Sequence, residues 1–189
     1  MKVLHYIYDV NFQGGVFNYI YFLIKSPSPD LKFYVISEKK ICPESREILS
    51  RESVPDVFDD VVNVNASDNE NAVNLIDFIN RQKIDIVVCH HFLPAIIIKK
   101  IREKIPVLYF LHNFSLTCIS KLKLLSYPVL RSCKKKLDWK CRFYYNLYRC
   151  LGRTNFKKIE TMEDMLKSFS GYIVTSEFMK NHLIQNGVR

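Results

Sequence analysis

An α/β fold with a parallel sheet covered by helices is predicted by three observations. Short apolar runs rich in Val, Ile and Tyr recur along the chain. Between them lie segments whose apolar residues repeat at helical spacing. The chain is also 48% apolar over 189 residues, enough to build a core and to exclude global disorder. Strands alternating with helices form βαβ units, and right-handed crossovers lay successive strands parallel.

The elements follow in order. Lys2 to Asp9 reads as a buried strand, with β-branched and aromatic residues and no helix signal. Asn11-Phe12-Gln13-Gly14-Gly15 is a loop whose two glycines relax the backbone. Val16 to Ile24 is a helix, with Val16, Tyr19/Ile20 and Leu23/Ile24 on one face, and Pro27 and Pro29 stop it. Leu31 to Ser37 is a second strand. Pro43 to Arg51 reads as a short polar helix, and Val61 to Val64 as a third strand. Ser67 or Asp68 caps the next helix, which presents Val73, Ile76, Phe78 and Ile79 as far as Gln82. Asp85 to Cys89 is a strand covered on both faces, Pro94 to Lys104 a helix with a basic outer side, and Pro106 to Leu111 another buried strand. From Asn113 to about Asn155 the rhythm breaks into a basic, aromatic, cysteine-bearing stretch, and so long an irregular segment is usually functional. Phe156 to Phe169 returns to helix and Gly171 to Thr175 is the last strand. Ser176 caps a final helix from Glu177 to Gln185, with Gly187 just past its end.

Composition narrows the function. No apolar run approaches the roughly 18 residues needed to span a bilayer. Asp9, Asn11 and Gln13 interrupt the apolar start, against a signal peptide. The expectation is a cytoplasmic chain whose six cysteines are thiols or metal ligands rather than a disulfide framework. Between Lys121 and Lys158, twelve Lys/Arg face the single acid Asp138, more than the whole net charge of +9. Such a block suits phosphates, an anionic membrane face or nucleic acid. Within it, Arg131, Lys134, Lys135, Lys136, Lys140 and Arg142 interleave with Trp139, Phe143, Tyr144, Tyr145 and Tyr148. That mixture fits a membrane interface, with the protein peripheral at its inner face. No nucleic-acid fold signature accompanies it, so nucleic acid is not expected as a partner. The plain alternative is a solvated basic face.

Ligands in parallel sheets bind at the carboxyl ends of the strands. That rule selects Asn11–Gly15, His90–His91, His112–Asn113 and Ser176–Glu177. Gly14 and Gly15 lie between a strand and a helix, where backbone N–H groups attract anions, although no GxGxxG or Walker pattern is present and, taken alone, the pair is first of all a plain tight turn. His112 ends an apolar strand, where it can act as a general base or hold a substrate hydroxyl, or simply bond a nearby carbonyl. Adjacent residues on a strand point oppositely, so one of His90 and His91 faces the cleft, and His90 is selected. Cys118, Cys133, Cys141 and Cys150 form no CxxC pair, so idle thiols are favoured over zinc and no metal or cofactor is expected.

Four segments carry a resemblance: KVLHYIYDVNFQGGVFNYI, DIVVCHHFLP, IPVLYFLHNFSLTC and GYIVTSEFMKNHLIQNGV. In this order the chain resembles the N-terminal domain of family 4 glycosyltransferases, retaining enzymes of GT-B fold. The second segment is similar to a family strand ending in histidine, placed on His90. The third is similar to a strand ending in His-Asp or His-Asn, then an aromatic and a cysteine, placed on His112, Asn113, Phe114 and Cys118. The resemblance implies a Rossmann-like parallel sheet flanked by helices over residues 1–189, a single N-terminal half of a GT-B fold, with a basic insertion at about 114–155. It implies transfer of a sugar from a nucleotide-sugar donor to a saccharide or lipid-linked acceptor, in cell-surface polysaccharide or glycoconjugate biosynthesis. Gly14 and Gly15 then lie on the donor side and His112 at the reacting sugar. His90, Asn113, Ser176 and Glu177 lie on the acceptor side.

Two departures stand out. Many relatives carry a charged residue shortly after the double glycine, where this chain has Val16 and Phe17. The chain also stops at Arg189, where the family would cross into its donor-binding domain. The expectation is a poor catalyst alone, working with a separate donor-binding domain or chain. The rival readings are a non-catalytic acceptor-binding module and a GT-B-like sugar epimerase.

Overall fold

The computed structural model describes residues 1–8, 15–25, 30–37, 69–113, 124–125, 131–132 and 164–188. The elements are β1 (Lys2–Ile7), α1 (Gly15–Lys25), β2 (Lys32–Ser37), α2 (Asn69–Gln82), β3 (Ile86–Cys89), α3 (Ala95–Arg102), β4 (Val107–Leu111), β5 (Leu124–Leu125), β6 (Arg131–Ser132), β7 (Gly171–Val174) and α4 (Glu177–Gln185). Among the described residues, five strands form one parallel sheet in the order β2-β1-β3-β4-β7. The Rossmann-like α/β expectation therefore holds. Pro43–Arg51 and Val61–Val64, expected as helix and strand, lie outside the described residues.

The chain divides into two compact units. The first comprises Met1–Phe110 and Phe169–Tyr172. Its strands are stitched at their starts: Lys2 N–H donates to the Asp85 carboxylate at 2.6 Å, Asp85 N–H to the Lys2 carbonyl at 2.9 Å, and Lys2 Nζ to the Gln82 carbonyl at 2.7 Å. Asp85, expected as the first residue of a strand, thus precedes β3 as its anchor. Register pairs Leu4 with Tyr34 and Val87, and His5 with Val35 and Val88. Side chains alternate across a sheet, so one face carries Leu4, Tyr6, Tyr34, Ile36, Val87 and Cys89. The other carries Val3, His5, Phe33, Val35 and Val88. Phe78 of α2 meets Tyr34 edge-on at 6.0 Å, covering the first face. Tyr19 of α1 packs on Phe110 at 4.8 Å, covering the second. Helices on opposite faces explain why the strands are apolar on both sides: Leu4, Tyr6, Val87 and Cys89 are buried on the first face, and Val3, Phe33, Val35 and Val88 on the second.

The second unit comprises Leu111–Ser168 and Ile173–Arg189. It shows an antiparallel ladder, Leu124 with Ser132 and Leu125 with Arg131, inside the stretch whose sequence shows no clean periodicity. Residues 164–168 are helical, and the expected extension to Phe169 does not occur. Ser168 bonds back to the Asp164 carbonyl at 2.6 Å, a side-chain bond that competes with helix continuation. Helix α4 matches its expected limits, and both end signals act as expected. Ser176 Oγ accepts from Met179 N–H at 3.2 Å. At the other end, Val188 N–H reaches the Leu183 carbonyl and Gly187 N–H the Ile184 carbonyl, with Gly187 at φ +89°. This is a Schellman closure, which needs a left-handed residue. Ser176→Ala and Gly187→Ala should each cost about 1 kcal/mol, read from denaturant midpoints. A Gly187→Ala chain as stable as the parent would show that α4 does not close this way in solution. Among the described residues, no helix is long and apolar enough to cross a membrane.

Candidate functional site

The strand order turns back on itself between β1 and β3, since β2 lies to one side of β1 and the later strands to the other. The crevice outside the carboxyl ends at such a switch point is where open α/β sheets bind ligands. His90 follows β3 directly, and its N–H donates to the Tyr6 carbonyl at 2.8 Å, tying this corner to β1. Its imidazole is buried, with Nε2 2.9 Å from Nδ1 of His5. Phe110 stacks on His90 at 5.2 Å and 20°, and Tyr19 lies 6.1 Å away. Phe33 flanks His5 at 5.7 Å. The result is an aromatic box around two histidines, held by α1, β1, β2, β3 and β4. Burial holds His5 near a pKa of about 4, well below its ordinary 6.5, so its ring is neutral at pH 7.

Gly15 opens α1, one turn before Tyr19 and on the same helix face. The first N–H groups of a helix have no carbonyl partner within it, and this first turn carries no acid. A Cβ added at Gly15 would meet nothing within 4 Å. Gly15 also has no positive φ, so the fold itself does not require glycine there. Gly14 lies outside the described residues. His91 is less buried than His90 and packs on Tyr8 at 4.7 Å and Phe92 at 5.7 Å.

The other expected residues belong to the second unit. His112 and Asn113 are exposed just after β4, yet partial burial of the His112 ring lowers its pKa below 6.5. Ser176 is committed to capping α4, and Glu177 pairs with Lys180 at 3.4 Å across an exposed turn. Lys134, Lys135, Lys136, Lys140 and Arg142 lie outside the described residues, as do Cys118, Cys133, Cys141 and Cys150. Cys89 is a free thiol, fully buried, and burial pushes its pKa far up, so it stays protonated. Among the described residues, no three His, Cys, Asp or Glu converge as metal ligands.

His5, Tyr19 and Phe110 are the participants that reading the sequence missed. The available signal was a single polar ring inside the apolar strand Lys2–Ile7. A buried histidine needs a partner, and that partner lies 85 residues away.

The model of Glycosyltransferase Family 4 matches residues 14–189. No curated protein matches the chain.

Proposed function

The chain belongs to glycosyltransferase family 4, and on that basis we propose that it takes part in moving a sugar from a nucleotide-sugar donor to a hydroxyl of a saccharide or lipid-linked acceptor. A domain of this family works on a sugar donor and an acceptor. The match over residues 14–189 carries the reading, and the histidine box at the switch point supports it. In the transfer, the bond from the sugar's anomeric carbon to the donor diphosphate breaks. A bond from that carbon to the acceptor oxygen forms, and the acceptor proton leaves for a base or for the departing phosphate. Positioning and stabilisation of the diphosphate charge do most of this work.

Each residue has a role in this reading. Gly14 and Gly15 let the donor's phosphates approach the start of α1, where N–H groups favour negative charge. His112, neutral at pH 7, attends the reacting sugar or the acceptor hydroxyl. His90, Asn113, Ser176 and Glu177 are each assigned to the acceptor, Ser176 while its Oγ accepts the Met179 N–H and Glu177 while it faces Lys180. The basic block with Lys134, Lys135, Lys136, Lys140 and Arg142 meets an anionic membrane surface or an acidic acceptor. A separate donor-binding domain or chain supplies the opposite wall.

Gly15→Ala separates ligand approach from fold. Alanine meets open space and favours helix, so Tm should hold or rise slightly. The added methyl intrudes where the phosphates approach, so donor KM should rise about tenfold, the loss expected for one good hydrogen bond. Unchanged donor KM in steady-state transfer assays would reduce Gly15 to a turn residue. The reading as a whole is tested by incubating the complete transferase with labelled nucleotide sugars and analysing the product. Hydrolysis alone, or an epimerised nucleotide sugar, would reject it.

A further inference from the structure

Two imidazoles hydrogen-bond only when one ring nitrogen donates and the other accepts. Between His5 Nδ1 and His90 Nε2 the separation is 2.9 Å and the pair is buried. The remaining ring nitrogen of His5, Nε2, meets no hydrogen-bond partner among the described residues. His5 is neutral near pH 7 and so carries a single ring hydrogen. Were that hydrogen on Nε2, a buried N–H would be orphaned; on Nδ1, only a lone pair is left over. Orphaned buried N–H groups are the rarer of the two, because an unmet donor loses its water bond outright. The same comparison excludes a charged His90 donating from Nε2, which would again force the His5 hydrogen onto its unpartnered nitrogen.

We propose that His5 is a positioning residue that sets the tautomer of His90: His5 Nδ1–H donates to His90 Nε2, so that His90 carries its hydrogen on Nδ1 and offers a donor there. Phe110 fixes the plane of the His90 ring, and His5 fixes which nitrogen bears the hydrogen. The orienting group of a functional histidine commonly works in this way, by occupying the nitrogen that the ligand does not use. The consequence for chemistry rests on the reading of His90 as an acceptor-side residue. In that reading His90 meets an oxygen lone pair of the acceptor and cannot be the base that removes the hydroxyl proton. That task falls to another group.

Long-range ¹⁵N–¹H correlation spectra of the ring-labelled chain test the tautomer directly. Near pH 7.5, both His5 and His90 should show a protonated Nδ1 and a bare Nε2. His5→Phe should release His90 into a mixture of tautomers. His5→Asn, whose amide N–H falls near the place of Nδ1, should keep His90 as it is. An Nε2–H on His90 in the unaltered chain would overturn the proposal, whether or not the variants fold. An unchanged His90 pattern in folded His5→Phe would overturn it as well. In transfer assays His5→Phe should raise acceptor KM about tenfold with kcat little changed, and His5→Asn should restore it. The expected spectra together with unaltered transfer kinetics would uphold the tautomer lock and reject the acceptor-side role of His90.

Discussion

Replacing His112 with alanine should lower kcat/KM for sugar transfer in the complete transferase by about 10²–10⁴-fold, the usual contribution of a positioned acid–base group. Stability should change by no more than about 0.5 kcal/mol, because the residue is exposed after β4 and its truncation leaves no cavity. The contrast between these effects is what identifies a functional histidine. Partial burial lowers the His112 pKa below 6.5, so the neutral form predominates at pH 7. A base is active above its own pKa, and that pKa is shifted downward. The acid limb of kcat/KM should therefore fall below pH 6.5 and disappear in His112→Ala. Wild-type turnover by a folded His112→Ala enzyme would remove the residue from the chemistry.

Acidification should destabilise the fold through His5 by roughly 3 kcal/mol in all, the free energy of a shift of this size. The sign follows from where the proton binds. In the unfolded chain His5 titrates near 6.5, whereas in the fold burial holds it at about 4. Between those values the unfolded state takes up a proton that the folded state refuses. The contribution is therefore complete above pH 6.5, declines as pH falls, and is exhausted below about 4. Protonating both facing rings would also place two cations 2.9 Å apart with Phe33 and Phe110 around them. Urea midpoints at pH 7.5, 5.5 and 4.5 should fall steeply for the parent chain and more gently for His5→Phe. Equal slopes would mean that His5 protonates within the fold without penalty.

Much of the architecture was legible because its causes are local. The apolar runs at Lys2–Ile7 and Val107–Leu111 are strands, and the limits of α4 were read from Ser176 and Gly187. A capping hydroxyl and a left-handed glycine act within one turn, so the sequence nearby contains the whole interaction. The candidate site was legible only in part. His90 was selected by its place after a strand, but not its burial or its partner. The β5–β6 ladder was missed because two-residue strands carry no measurable period.

By itself, then, the sequence determined the alternation of strands and helices, both ends of α4, the family and the positions of the strand tips. The tertiary structure decided which strands are neighbours. Pairing β1 with β3 joins segments more than eighty residues apart, through apolar faces that any of the strands could offer one another. That choice comes from the packing of the whole sheet rather than from any one segment. It turns an isolated imidazole in β1 into the partner of His90, and so decides which ring nitrogen bears the hydrogen at the switch point.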